Sequence, residues 1–516
     1  MKEEPMLCEV SLGEIATEAI SQLGPEANSD FVYVDIGCID RERKSILAPS
    51  HLPYDKAPSR AKQVLKAGDV LVSMTPPNLN AVALVPDCLN GAIGSTGFHI
   101  LRSKRVDQKF LYYLVQSPDF IDAMCGVVQG ALYPAVRPRD ISSFKFLLPS
   151  SLAQRVIVAK LEELLADLDA GVAELKAAQK KLAQYRQSLL KAAVEGALTA
   201  GWRERQKEEL RRKNAEGNPL LPSSFDASSL LERILTERRA RWEARQLAKF
   251  QEQGKTPPKD WQKKYPEPVQ PDTTDLPELP EGWVWANVDQ LSVVVRGASP
   301  RPAGDPRYFG GDIPWITVGS LTADDSMYLN AVSQFVTEAG RDASRFIDAG
   351  TLLLTNSGAT LGVPKITNIG GCINDGSVAL LDVDDPLKIY MYWYLRTQTA
   401  VLRATNQGAA QPNLNTDIVR RICVPVCPFV EMSQINSLLD AQVNAIEEQR
   451  NSIATSLKQS TAQRQNILRA AFAGQLVQQD PNDEPAGVLL ERIRAERAES
   501  KTTQKPRGRK TKELHR

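Results

Sequence analysis

"GALYPAVRPRDI" occupies residues 130–141 and "GAAQPNLNTDIV" occupies residues 408–419. Gly130 and Gly408 stand 278 positions apart, as do Pro134 and Pro412. The same offset joins "SLLKAAVEGALT" (188–199) to "NILRAAFAGQLV" (466–477), through Lys191 and Arg469 and through Gly196 and Gly474. Anchors in one order at one spacing are the mark of a diverged internal duplication, and a repeat of this kind governs the architecture. Between each pair of anchors lies a long helical pattern.

In the first copy Leu161, Leu168, Leu175, Leu182 and Leu189 recur every seven residues, with Leu164, Ala178, Tyr185 and Ala192 at most of the intervening d-type positions. That is a coiled-coil seam. The second copy keeps Leu439, Ile446, Ile453 and Ile467 at the matching positions, with Ser460 as the exception. Its d-type positions, Gln442, Gln449, Ser456 and Gln463, are polar, and Val443 and Leu457 indicate an apolar face displaced sideways. A helix over residues 153–195 rises ~65 Å. Two such apolar stripes need a cover, and one chain supplies both, so an intramolecular antiparallel pair is expected. A dimerisation zipper is the alternative.

On either side of these helices the chain reads as mixed α/β. β-rich runs such as "FVYVDIG" (31–37), "DVLVSM" (69–74), "AVALV" (81–85) and "FKFLL" (144–148) alternate with turn residues, and "QKFLYYLVQSPDFIDAM" (108–124) has helical spacing. The second half answers with "PWITVGSL" (314–321), "TLLLTNSG" (351–358), "SVALLDV" (377–383), "IYMYWYLRTQTAVLRA" (389–404) and "RRICVPV" (420–426). A smaller repeat follows each long helix: "LLERILTERRA" from Leu230 and "LLERIRAERAE" from Leu489. The expected order is a globular domain at 1–150, a long helix at 151–199, and a charged, proline-rich linker with a short helix at 200–280. A second domain at 281–428, a second long helix at 429–478, and a short charged helix with a basic tail at 479–516 complete it. The fold class is α+β: two similar mixed α/β domains joined by two long antiparallel coiled-coil helices, related by a pseudo-two-fold repeat.

Bulk properties narrow the function. At 516 residues the chain exceeds one core. Hydrophobic residues make up 42% and charged residues 24%, and no stretch reaches the ~18 to 20 apolar residues of a membrane span. No membrane partner and a cytoplasmic location are expected. Seven cysteines without a secretion signal read as reduced thiols, and His51, His99 and His515 lie too far from Cys423 and Cys427 in sequence to suggest a zinc site. Net charge is +1, so positive charge is local: residues 501–516 carry seven Lys/Arg against Glu513.

No G-x-x-x-x-G-K-[ST] loop is present, which argues against ATP hydrolysis by this chain. "TPPN" (75–78) shares Pro-Pro with an adenine methyltransferase motif but has Thr75 where Asn or Asp is needed, and no glycine-rich cofactor loop precedes it. It reads as a turn.

Taken together, the motifs resemble those of the specificity subunit of type I restriction-modification enzymes. The resemblance rests on "LPELPEGWVWANVDQL" (276–291), "GDIPWITVGSL" (311–321), "GAAQPNLNTDI" (408–418) and "NILRAAFAGQLV", with "YVDIGCID" (33–40), "GALYPAVRPRDI" and "SLLKAAVEGALT" as their first-half counterparts. It implies that the two domains are target recognition domains, each binding one half of a bipartite asymmetric DNA target, and that the helices set the spacing and dock two methyltransferase subunits. It also implies restriction/translocase subunits as further partners and a non-catalytic role for this chain. S-adenosylmethionine, ATP and Mg then belong to the partner subunits, with no cofactor bound here. A coiled-coil scaffold without sequence-specific DNA binding and a self-contained DNA methyltransferase or nuclease are the rival readings.

Major-groove edges are read by Arg, Lys, Asn and Gln, which match guanine or adenine bidentately. Candidates in the first domain are Asn78, Asn80, Arg102, Gln129, Tyr133, Arg137 and Arg139. In the second they are Arg296, Arg301, Arg307, Tyr308, Asn356, Ser357, Asn374, Gln407, Gln411, Asn413 and Asn415. The loop "SPRPAGDPRYFGGD" (299–312) is the best single segment. Gln411 and Asn413 are replaced by Tyr133 and Ala135 in the first copy, which puts a shared polar role at those positions in doubt.

Overall fold

The computed structural model describes residues 7–16, 18–128, 134–215, 226–358, 360–405, 413–478, 480 and 482–503. The chain forms two compact units, one of residues 1–177 with 452–516 and one of residues 178–451. The division falls within both long helices, Ser151–Val194 and Phe429–Phe472, each of 44 residues. Both helices stop for the same local reason. Gly196 (φ 76°) and Gly474 (φ 73°) occupy the left-handed region that ends a helix without a Cβ penalty. At Gly196 a Cβ would also lie 2.7 Å from Pro280 Cγ, so the turn is closed to any side chain.

Within the unit of residues 1–177 and 452–516, Ile157, Leu161 and Leu165 share a core with Leu468 and Ala471, and the rings of Phe110 and Phe472 meet edge-on at 5.3 Å. Within the unit of residues 178–451, Leu189, Leu190 and Ala193 pack with Met432, Ile435, Leu439, Val443 and Ile446. In both units early residues of one long helix meet late residues of the other, the antiparallel order expected. The seam is uneven. Leu161, Leu189, Leu439 and Ile446 are buried, whereas Leu168, Leu175, Leu182, Ile453 and Ile467 are half-buried. Val443 and Leu468 are buried beside the heptad positions, the sideways displacement that the polar d-type residues impose. Full burial needs a third layer, which the domain side chains in these two cores supply.

The two domains repeat one strand plan. In the first unit Phe98–Leu101, Val70–Ser73 and Val82–Leu84 form one sheet, and Ser50–Leu52, Phe31–Val34, Ile93–Ser95 and Ala61–Val64 form another. In the second unit the same orders recur as Ser377–Leu381, Leu352–Thr355, Pro364–Thr367 and as Phe335–Val336, Phe309–Ile316, Gly371–Ile373, Arg345–Ile347. The central pair of each four-stranded sheet is parallel and its flanks are antiparallel. The second unit adds Val293–Arg296 and Tyr328–Leu329 at the edges of its other sheet. One expectation changes: residues 108–124 form two helices, Gln108–Leu114 and Pro118–Val127, because Ser117 caps and Pro118 opens a new one.

The linker reading also changes. Residues 200–280 contain Ala200–Ala215 and the 26-residue helix Ala227–Glu252, longer than the short helix expected, since no proline stands between Pro222 and Pro257. Each trailing helix packs on the domain of the other sequence half. Arg238 and Arg241 of Ala227–Glu252 pair with Asp289 (3.6 Å) and Asp384 (2.9 Å), and Arg494 of Ala486–Thr503 pairs with Glu14 (3.2 Å). The covalent reason is that each long helix starts in one unit and ends in the other.

Where the first long helix ends, Glu431 is buried at 1% exposure. It accepts hydrogen bonds from Trp283 Nε1 (3.0 Å), Thr199 Oγ1 (2.5 Å) and the Arg203 guanidinium. Removing one member of such a network strands the others without water, so Glu431→Ala is expected to cost ~3–5 kcal/mol, read as a lower urea midpoint for the unit of residues 178–451.

Candidate nucleic-acid interface

The doubled motif ends in a doubled hydrogen bond. In the first unit Val136 N–H donates to the Met74 carbonyl (2.9 Å), and in the second Leu414 N–H donates to the Asn356 carbonyl (2.8 Å). Met74 and Asn356 each follow the matching strand, Val70–Ser73 and Leu352–Thr355, and their own N–H groups donate to Gly97 (3.0 Å) and Gly376 (2.9 Å) carbonyls. Val136 and Leu414 are buried apolar plugs. One backbone frame is thus built twice with different side chains on it.

In the second unit this frame gathers six of the candidates. Ser357 bridges to Asn413, and Asn374 N–H donates to the Ile316 carbonyl while its Oδ1 accepts from Ser377 Oγ (3.2 Å). Arg296 Nε donates to the Asp375 carbonyl (3.1 Å), and Arg301 pairs with the Asp375 carboxylate at 3.5 Å. Gly297 lets these strands meet, since a Cβ there would lie 2.1 Å from the Asn374 carbonyl oxygen. Asn356 is fully buried, yet neither Nδ2 nor Oδ1 has a partner. A buried unpaired amide costs ~1–3 kcal/mol and calls for an explanation.

The remaining candidates are dispersed or already committed. Arg307 is paired within its own loop to Asp305 (2.7 Å), with its guanidinium over the Tyr308 ring, and this partner holds the Asp305 carboxyl below the usual range. Asn415 Oδ1 caps the helix Thr416–Arg420 by accepting from Ile418 N–H (2.8 Å). In the first unit Asn78, Arg137 and Arg139 are exposed. Two proposed readers there are corrected to structural roles. Arg102 is buried in an ion pair with Asp69 (2.6 Å), and Asn80 is buried at φ 41°, its Nδ2 donating to the Val115 carbonyl (2.8 Å) and its Oδ1 accepting from Lys44 Nζ (3.1 Å). Gln129, Tyr133, Gln407 and Gln411 lie outside the described residues, as does the basic segment 504–516.

Sequence reading missed Asp375, which sits between Arg296 and Arg301 and also accepts from Ser299 Oγ (2.6 Å). Cationic and amide side chains are the bidentate readers of purines, whereas a carboxylate accepts from the cytosine amino group. Among the described residues no three His, Cys, Asp or Glu side chains converge as a metal site, all seven cysteines are free, and no helix is long and apolar enough to cross a membrane.

Known proteins carry the same arrangement. The family model described as the type I restriction modification DNA specificity domain matches residues 280–455. The EcoDI specificity subunit of Escherichia coli is 23% identical over 414 residues, covering 78% of this chain and 79% of its own. The HindI specificity subunit of Haemophilus influenzae is 21% identical over 487 residues, 91% of this chain and 99% of its own. Two solved structures share the fold. One, from a study of complex assembly and conformational transition in a type I R-M system, has a TM-score of 0.66 at 22% identity, covering 92% of this chain and all of that one. The HsdS subunit from Thermoanaerobacter tengcongensis has a TM-score of 0.51 at 23% identity over 91% of this chain and 97% of its own. With the strand plan doubled about two long helices and relatives that match along most of its length at 21–23% identity, the chain is similar to the specificity subunits of type I restriction-modification enzymes.

Proposed function

We propose that this chain is the DNA sequence-specificity subunit of a type I restriction-modification complex, each recognition domain binding one half of a bipartite, asymmetric duplex target. One observation carries this reading: the same backbone frame is present in both units, held by the Val136–Met74 and Leu414–Asn356 hydrogen bonds, with different side chains mounted on it. Equal frames make two equivalent readers, and unequal side chains make them read different bases. The helices set the gap between half-sites and dock two methyltransferase subunits. Those partners bring S-adenosylmethionine and methylate adenine, ATP-driven restriction subunits cleave, and this chain supplies no catalytic group.

The test maps methylated adenines in genomic DNA with the chain present and deleted. A split motif that disappears with the chain supports the reading. Methylation or cleavage by the purified chain alone would favour the self-contained enzyme, and a complex that selects no sequence would favour the scaffold.

Within this reading Asn356, fully buried, acts on base choice in the second half-site through the residues packed over it rather than by touching a base. Its counterpart Met74 offers no hydrogen bond, so Asn356→Met should raise the melting temperature by relieving the unpaired amide. The same change should relax one base pair of one half-site, by ~1–3 kcal/mol. The other half-site should stay unchanged in the same methylation map.

A further inference from the structure

Each unit contains the same ion pair between the two long helices. In the unit of residues 178–451 it is Arg186 with Glu447 at 3.8 Å. In the unit of residues 1–177 and 452–516 it is Arg464 with Asp169. Arg464 is Arg186 plus 278 and Glu447 is Asp169 plus 278, the offset of the whole duplication. The residue numbers in both pairs also add to 633, as one antiparallel register requires.

These pairs stand where the helix seam is weakest. Leu175, Leu182 and Ile453 are only half-buried between them, and a leucine every seven residues discriminates poorly against sliding. A slide of seven in one direction would place Arg186 opposite Ala454 and Arg464 opposite Lys176. Charged flanking positions are what fix register in such pairs.

Each arginine also faces the domain of its own unit. Arg186, with only 15% of its side chain exposed, acts on Asp325 and Tyr392, and Asp325 is held by Arg396 at 2.6 Å. Arg464 acts on Lys44 and Tyr112, and Tyr112 Oη donates to the Lys44 carbonyl at 2.9 Å. The loop partner is acidic in one unit and basic in the other.

We propose that Arg186 and Arg464 are positioning residues that lock the register of the helix pair. They thereby restrict the DNA gap that the complex accepts. The inference rests on the specificity-subunit reading above.

The test uses the chain assembled with its methyltransferase subunits and a duplex library in which the two half-sites are separated by gaps of varied length. Wild type should methylate one gap. Arg186→Glu with Arg464→Glu should raise methylation at gaps about three base pairs longer or shorter, the length of a seven-residue slide, by about five- to tenfold relative to the native gap. Both half-site sequences should be retained. Adding Glu447→Arg and Asp169→Arg should restore the single gap, and Arg186→Lys with Arg464→Lys should keep it. If the charge reversal disrupts folding, Arg186→Met with Arg464→Met should still broaden the gap, with the melting curve as the check on integrity. An unchanged gap in assembled reversal or methionine variants, or no restoration in the fourfold charge swap, overturns the inference. A wild-type complex that selects no split site overturns the functional reading instead.

Discussion

Deleting residues 175–181 and 453–459 together, one heptad from each long helix, is expected to shorten the selected gap between half-sites by about three base pairs. Seven residues of helix rise ~10 Å, and duplex DNA advances ~3.4 Å per base pair. Both deletions fall between the duplicated ion pairs, so Arg186–Glu447 and Arg464–Asp169 survive in the shortened helices. A heptad is also the deletion that least disturbs the helix face, which turns by only ~20°. Selection of methylated duplexes from a random-gap library reads the result. An unchanged gap, or changed half-sites at the native gap, would contradict the idea that helix length sets spacing.

The second large effect separates support from recognition. Arg102 Nε and Nη2 donate to the two oxygens of Asp69 at 2.6 Å each, with side-chain exposures of 6% and 1%. Nη2 also reaches the Val64 carbonyl (3.2 Å), and Asp69 accepts from Lys66 N–H (2.8 Å). Arg102→Ala leaves a buried carboxylate unpaired, a loss of ~3–5 kcal/mol. For a unit of this size that lowers the melting temperature by roughly 10 °C. The motif methylated by the surviving folded complex should be unaltered. A relaxed base preference at unchanged stability would return Arg102 to the reading surface. Replacing both partners by apolar residues of similar volume should cost much less than either single change, because no lone charge remains.

The helices, the doubling and most strands were legible because they rest on periodicity and on residues near in sequence. A seven-residue leucine repeat identifies a helix seam whatever surrounds it, and Gly196 and Gly474 mark helix ends through their own backbone freedom. The recognition surface was only partly legible. Arginine is chosen alike for guanine, for phosphate and for a buried carboxylate, and Asp69 lies 33 residues from Arg102. Asn80 reads in sequence as a candidate DNA reader, whereas in the fold Lys44 and the Val115 carbonyl use its amide. Asp375 carries no signal in the sequence, because the two arginines that flank it in space stand 74 and 79 residues away in the chain.

By itself the sequence determined that one frame is built twice, that two long helices accompany it, and that the halves differ in the side chains they mount. The tertiary structure alone decided which amides and guanidiniums are spent internally, that each trailing helix packs on the other half's domain, and that Asn356 is left without a partner. The physical reason is range. Periodicity and helix stops are set by residues within a turn or two of one another, whereas the fate of a polar side chain depends on partners that only folding brings within ~3 Å.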